Sequence, residues 1–152
     1  MGKKGWAIVV GAAALVMFYF SWTWYLSPEA RVENAIEAAG AAAEQADAPT
    51  FLSYFAPNYT DYLHEDRAVF SQRVEDAFGR VDRLNVTIQA MDVSVDDDAA
   101  TARFELVVVA VRGEDRIVAV GTPFQPELIE AHLARDASGW KLARIDRGLA
   151  AD

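Results

Sequence analysis

An uncharged stretch of 21 residues near the N-terminus, Trp6 to Leu26, constrains this chain more than any other feature. A helix of that length rises about 30 Å at about 1.5 Å per residue, which is the hydrocarbon thickness of a bilayer. Its ends carry aromatic rings of the kind that settle at lipid headgroups, namely Trp6 at one end and Trp22, Trp24 and Tyr25 at the other. We therefore expect one transmembrane helix.

The charges beside this stretch predict its orientation. Lys3 and Lys4 precede it, and every acidic residue lies at Glu29 or later. By the positive-inside rule, residues 1–5 form a cytoplasmic tail, 6–26 a signal anchor and 27–152 one periplasmic domain on the outer side of a bacterial inner membrane. A cleaved secretory signal is the alternative, although the bulky residues before Ser27 and the proline after it disfavour cleavage there.

Charge and composition exclude several classes of function. Residues 27–152 contain 12 basic and 23 acidic side chains, a net charge of −11 that repels nucleic acid. The absence of cysteine excludes disulfides, thiolate nucleophiles and iron–sulfur clusters. Two histidines far apart in the chain have no metal-ligand spacing, and the run Asp96–Asp98 is typical of a solvated turn. We expect neither a metal nor a cofactor.

Three helices are predicted after the uncharged stretch. Ser27-Pro28-Glu29 is a helix start, and an alanine-rich helix with a thin apolar stripe then runs to about Asp47. A second, short helix begins at Pro49, buries Phe51, Leu52 and Phe55, and ends at Pro57-Asn58. A third runs from about Glu65 to Phe78, buries Val69, Phe70, Val74 and Phe78, and is followed by Gly79.

After Gly79 the apolar period changes from helical to two, which indicates strands. The first strand changes parity near Ala90, which predicts a bulge there. A second strand follows the turn at 96–98, with its end at 107–111 central and covered. Further strands are predicted at 116–120, at 127–135, where an amphipathic helix is the alternative, and at 140–147 after a hairpin turn.

Two segments carry a resemblance to a known family. They are the hairpin from Asp136 to Asp146, containing Gly139-Trp140-Lys141-Leu142, and the stretch Phe51 to Tyr59. With the order of elements over 29–147, they resemble the nuclear transport factor 2-like superfamily, also called SnoaL-like or cystatin-like. The resemblance implies an α+β cone of about three helices packed on a curved antiparallel sheet of four to six strands. Its mouth would hold an apolar ligand or a partner.

Catalytic members of that superfamily, such as ketosteroid isomerases and scytalone dehydratases, place an acid or histidine base inside the cone. Matching Ala56 to the loop alanine of the isomerases places the base position at Leu63, which cannot act as a base. Asp61, Tyr62 and His64 are weak catalytic candidates beside it. The alternative is a polar loop in which His64 or Asp66 caps the third helix.

Four residues are candidates for lining a pocket: Tyr54, Phe55, Tyr59 and His132. The three aromatic residues cluster in sequence near the expected mouth, although such clusters are more often core and rim. His132 alternates with apolar neighbours, and its face is either the concave pocket or the solvent side.

These features favour a non-enzymatic binding or assembly domain, an accessory subunit of a bacterial envelope complex. The arrangement resembles the assembly-factor domains of type IV secretion systems, which have one N-terminal span and a similar cone outside. Expected partners are the lipid bilayer, a membrane protein or a second copy of the chain, with a small apolar ligand as a further candidate. The alternatives are an isomerase or hydrolase with Asp61 or His64 as base, or a carrier of an apolar ligand.

Overall fold

The computed structural model describes residues 3–25 and 27–147, and the side chains of residues 11–22 and 27–147. Helix α1 spans Lys3–Tyr25. The side chains of Trp6, Trp24 and Tyr25, and all of Leu26, lie outside the described part. Across the described residues, none of the helices has both the length and the apolar character that crossing a bilayer requires.

Three further helices begin within two residues of their predicted starts. Helix α2 spans Pro28–Glu44, and the Ser27 hydroxyl accepts a hydrogen bond from the Ala30 backbone N–H at 3.1 Å. Helix α3 spans Ala48–Leu52, and helix α4 spans Arg67–Phe78. The caps of α3 and α4 are the Asp47 and Asp66 carboxylates, which accept from Thr50 and Val69 at 3.2 and 3.0 Å. Hydrogen bonds from Thr50 hold the pKa of Asp47 below its usual value.

The predicted extent of the second helix is wrong. The helix ends at Leu52, and Phe55–Thr60 forms strand β1 across the predicted stop at Pro57-Asn58. Strand β1 pairs in parallel with a strand near the C-terminus, and the Leu142 N–H donates to the Tyr54 carbonyl at 2.7 Å. Strand β1 has six residues and lies at the edge of the sheet. Its buried residues are Phe55, Ala56 and Tyr59, which do not alternate with exposed ones, so its sequence does not show the period of two that indicates a strand.

The other five strands follow the predicted order. They are β2 Arg83–Asp96, β3 Ala99–Arg112, β4 Asp115–Val120, β5 Glu127–Asp136 and β6 Gly139–Arg147. The strand order is β1-β6-β5-β3-β2, and β4 pairs with β3 beyond the start of β5. All pairs except β1–β6 are antiparallel. The choice of strand over helix at 127–135 is confirmed.

The bulge predicted near Ala90 is present. Ala90 has φ 53°, and the pairing of β2 with β3 shifts between Gln89 and Asp92. The shift changes which parity of β2 faces inward, so that both Ile88 and Met91 pack against the core. The sheet bends at such a bulge, and this curvature lets β2 follow α2.

The core lies between α2 and the inner face of the sheet. Val32 and Ile36 of α2 pack there with Ala102, Phe104 and Ala131 of the central strands. The predicted burial of α4 is too extensive, because Val74 is buried but Val69 is about half exposed, at 48%. Helix α4 therefore buries fewer of its apolar side chains than the sequence predicts.

Candidate functional site

An apolar cavity of about 230 Å³ lies between α2 and the inner face of the sheet. No polar surface lines it. Helix α2 contributes Ile36, Ala39, Gly40 and Ala43. The sheet contributes residues of one parity from its two long strands, namely Leu84, Val86, Ile88, Phe104, Leu106 and Val108. The remaining sides are closed by Phe51, Phe55, Phe78, Leu142 and Ile145.

Small side chains on α2 contribute to this space. Ala39, Gly40 and Ala43 present little more than backbone to the sheet. Gly40 lies closest, because a Cβ there would be 3.2 Å from Ile88 Cδ1 and 3.6 Å from Val86 Cγ1. The helix can therefore approach β2 at Gly40 while leaving room beside it.

The volume limits what can enter. A cavity of about 150 Å³ holds benzene, so about 230 Å³ suits a compact ligand on the order of ten heavy atoms. With no donor, acceptor or charge on the wall, recognition rests on burial of apolar surface. The cavity offers no group that could move a proton.

Asp61, the first catalytic candidate, is buried at 4% exposure but is not among the cavity residues. One carboxylate oxygen accepts from the backbone N–H groups of Leu63 and Glu65, at 2.8 and 3.1 Å. The other lies 3.4 Å from Arg73 Nη1. Arg73 also pairs with Glu65, so the carboxylate ties the 61–65 turn to α4. Its contacts are those of a structural acid.

Tyr62 and His64 lie on the surface of the same turn. Tyr62 is 42% exposed, and the Arg147 guanidinium lies 5.0 Å from its ring centroid. His64 is exposed, with φ 59°, and its backbone N–H donates to the Asp61 carbonyl at 2.9 Å. The cap of α4 is Asp66. Neither Tyr62 nor His64 lines the cavity.

Of the three aromatic candidates, Phe55 lines the cavity, whereas Tyr54 and Tyr59 do not. Phe55 lines the cavity, and its ring lies 4.8 Å from that of Tyr59 between centroids. Tyr59 is buried at 2% exposure, outside the lining set, and its ring lies 4.5 Å from that of Phe70. Burial raises the pKa of the Tyr59 phenol well above its usual value, and the charge of Asp61 adds to the rise. Tyr54 is half-buried, and its carbonyl, just before β1, accepts the hydrogen bond from the Leu142 N–H.

His132 lies on the sheet face opposite the cavity. Its neighbours Ala131 and Leu133 point into the core, so the histidine points outward by strand parity. Its Nε2 lies 3.2 Å from Glu130 Oε1 and 3.4 Å from Asp146 Oδ2, and its Nδ1 lies 3.5 Å from Thr101 Oγ1. Among the described residues, no three acidic or histidine side chains are placed to hold a metal ion.

The sequence predicts that the apolar stripe on α2 is core, but it does not predict that part of the stripe lines a cavity. The available signal was the change in size along the stripe, from Val32 and Ile36 to Ala39 and Ala43. Small residues facing a bulged strand leave space that larger residues would fill. The strand side of the cavity had no comparable signal, because its residues are ordinary inward-facing Leu, Val and Ile.

A curved sheet that wraps one long helix and encloses an apolar cavity defines the cystatin-like class of cone folds. The family model of the SnoaL-like domain matches residues 24–146, and the chain belongs to this family. No curated protein matches the sequence significantly.

Solved structures share this fold at low sequence identity. A candidate aromatic ring hydroxylase from Novosphingobium aromaticivorans is 13% identical with a TM-score of 0.67, over 82% of this chain and 90% of that one. A candidate dehydratase of the NTF2-like family from Streptomyces avermitilis is 18% identical with a TM-score of 0.64, over 80% and 96%. An NTF2-like protein with a cystatin-like fold, also from N. aromaticivorans, is 18% identical with a TM-score of 0.61, over 91% and 86%. These similarities establish the fold.

Proposed function

We propose that this domain is a non-enzymatic binding domain whose cavity takes a small apolar ligand. The observation that carries the proposal is the wholly apolar wall of the 230 Å³ cavity. Catalysis inside it would need a group that gains or loses a proton within about 3 Å of the ligand, and the wall offers none.

The alternative is an isomerase, hydrolase or dehydratase acting in the same cone. The name of one similar structure, the candidate dehydratase, favours it, but a shared fold hosts many functions. In this chain the base position matched to the isomerases is Leu63, which is 50% exposed. The nearby Asp61 carboxylate already accepts two backbone hydrogen bonds and faces Arg73. The binding function therefore fits the arrangement better.

The cavity also sets the scale of affinity. Burying on the order of 200 Å² of ligand surface at about 25 cal/mol per Å² contributes about 5 kcal/mol, or a dissociation constant near 0.2 mM before ordering costs. Suitable ligands are monocyclic aromatics or short branched hydrocarbons, with any polar group directed out of the mouth. The experiment should use high ligand concentrations.

Ala43→Phe is expected to abolish ligand binding, because the phenyl ring would occupy the cavity beside α2. The detergent-solubilised full chain is titrated with toluene and isobutylbenzene by ligand-detected NMR. We expect at least a tenfold loss of affinity relative to the unmodified chain. The matched control is Ala41→Phe, two residues away on the same helix but exposed, which should bind normally.

Circular dichroism of both variants tests that they are folded. An unmodified chain that binds neither probe overturns the proposal. So does an Ala43→Phe variant that is folded and binds as tightly as the control.

We also propose that residues 6–26 anchor this domain at the outer face of a bacterial cytoplasmic membrane, with the N-terminus inside. The uncharged sequence supports this, and so do the exposed apolar side chains of α1, of which Leu15 and Met17 are 70% and 74% exposed. Helix α2 begins at Pro28, so only residues 26 and 27 separate it from α1. A domain joined so closely would lie near the bilayer and touch membrane neighbours.

The anchor predicts that the full-length chain stays in the membrane pellet after alkaline carbonate extraction of cells that express it. Leu15→Lys combined with Phe18→Lys introduces two charges into the hydrocarbon region, each costing about 2.5–3.5 kcal/mol, and should move most of the chain to the supernatant. The control carries Glu37→Lys in α2 and Gln45→Lys at the C-cap of that helix, which adds two lysines outside the stretch. Unmodified protein recovered in the supernatant, shortened by some 27 residues, would instead indicate a cleaved signal.

A further inference from the structure

Glu44, the last residue of α2, lies at the rim of the apolar cavity. It follows Ala43, which lines the cavity, and its Oε1 accepts a hydrogen bond from the backbone N–H of Val86, another lining residue, at 3.4 Å. Val86 belongs to β2, which lies at the end of the strand order. Within residues 27–147, no other charged side chain forms a hydrogen bond or an ion pair with a lining residue. The rim therefore has one charged group in direct contact with the wall.

The carboxylate of Glu44 is available to a ligand. Its hydrogen bond to the Val86 N–H is long and therefore weak. The second oxygen, Oε2, has no hydrogen-bond or ion-pair partner among the residues that the structure describes. The side chain is half-buried, so it lies between the cavity rim and solvent. A donor that arrives with a ligand can bind this carboxylate without displacing a strong contact.

The end of α2 adds to the negative charge of Glu44. The C-terminal end of a helix carries a partial charge of about −0.5, which favours cations near the last turn. The last turn of α2 contains no basic side chain that would offset it. Asp47, the N-cap of α3, places a second carboxylate three residues after Glu44. This end of the helix is therefore suited to a positively charged group.

The arginines of the two long strands do not neutralise the rim. Strands β2 and β3 contain three arginines. Arg83 and Arg103 have the parity opposite to that of the lining residues on their strands, so they point to the outer face of the sheet. Arg112 lies four residues beyond the lining residue Val108, about 13 Å along β3. The charge next to the cavity wall is therefore the carboxylate of Glu44.

We propose that the ligand of the cavity is a small amine, with an apolar body inside the cavity and an ammonium group on the Glu44 carboxylate. This inference rests on the binding function proposed above and adds the chemical class of the ligand. The ammonium N–H groups donate to the carboxylate, and the positive charge lies at the C-terminal end of α2. The rest of the molecule buries apolar surface against a wall that offers no polar group.

Two probes of the same shape separate the ammonium from the apolar body. 2-Phenylethylamine has one aromatic ring, which suits a cavity of about 230 Å³, and an ammonium group at the end of a two-carbon arm. It is protonated at neutral pH, as a lysine side chain is. Propylbenzene has the same shape, with a methyl group in place of the ammonium. A difference between the two probes therefore reports the charged group alone.

Glu44→Gln tests the role of the carboxylate. Glutamine keeps an oxygen that can accept from the Val86 N–H but removes the charge, so the contact between α2 and β2 is retained. Both probes are titrated by ligand-detected NMR into the full chain in a non-ionic detergent. We expect the substitution to weaken binding of the amine about fivefold to tenfold and to change binding of propylbenzene by less than about twofold. The matched control is Glu37→Gln, which removes the same charge from an exposed position on α2 and should leave both affinities unchanged.

A second measurement needs no substitution. In the unmodified chain, propylbenzene should displace the amine competitively, because both bind in one cavity. An amine that is not displaced binds elsewhere, which overturns the proposal.

The other outcomes separate this proposal from the binding function. Propylbenzene that binds while the amine does not, or while Glu44→Gln leaves amine binding unchanged, overturns the amine and leaves the apolar cavity as a binding site. Equal loss of amine binding in Glu37→Gln and Glu44→Gln means a general attraction to an acidic domain, and loss of both probes in Glu44→Gln means a structural role for Glu44. Each of these results also overturns the proposal. An unmodified chain that binds neither probe overturns the binding function itself, and the proposal with it.

Discussion

Replacing Phe55 with alanine is expected to lower the free energy of unfolding by about 3–5 kcal/mol, the range for removing a buried phenylalanine. Phe55 is 4% exposed, and its ring centroid lies 4.9, 4.8 and 4.8 Å from those of Phe51, Tyr59 and Phe70. It also forms part of the cavity wall, so the space left behind would merge with the existing cavity. The loss approaches the whole stability of a small domain.

Urea denaturation of dilute protein, followed by circular dichroism, measures this loss. The matched control is Phe124→Ala, which removes the same ring from a fully exposed position and should change the unfolding free energy by no more than about 0.5 kcal/mol. If the two variants were equally stable, the placement of Phe55 at the junction of the aromatic cluster and the cavity would be wrong.

Gly121→Ala is expected to cost about 3 kcal/mol or more, because it combines two unfavourable changes. Gly121 has φ +56°, and a Cβ there would lie 2.6 Å from the Glu127 backbone N and 2.7 Å from the Leu106 backbone O. Both contacts are main-chain atoms of paired strands, so a methyl group requires the main chain of Gly121 or of β3 and β5 to shift. The cost therefore combines the left-handed conformation, about 1–2 kcal/mol, with the disruption of a sheet pair.

Gly113→Ala separates these two contributions. Gly113 has φ +58°, but no atom lies within 4 Å of the place that an added methyl group would occupy, so only the conformational cost of about 1–2 kcal/mol is expected. The two variants are compared by thermal unfolding at the same pH. Similar melting temperatures would mean that the main chain around Gly121 can shift without loss of stability.

The proposed binding function rests on two observations, the apolar cavity and the buried acid that lies outside it. The residues that would carry chemistry are either replaced, as at Leu63, or engaged in the structure, as Asp61 is with Arg73. His132 has two carboxylate neighbours, but it lies on the outer face of the sheet. The fold therefore does not by itself assign an activity to this chain.

Much of the fold could be predicted because its signals are local. Ser27 and Asp66 cap helices through backbone N–H groups three residues ahead. The change of parity at Ala90 requires a bulge if both halves of β2 are to bury their apolar residues. The Asp136–Gly139 hairpin follows from turn chemistry, with the Asp136 carboxylate accepting from the Ser138 N–H at 2.7 Å.

The amino-acid sequence by itself determined the family, the Ser27 cap, the bulge and the order of the long strands, because each depends on residues close together in the chain or on a repeated period. Only the tertiary structure decided that Phe55–Thr60 is a strand, since its partner β6 lies at the other end of the chain. It also decided which face His132 occupies and where a cavity remains. Those outcomes depend on how closely α2 can approach the sheet at Gly40, and this distance is set by side chains that meet only after folding.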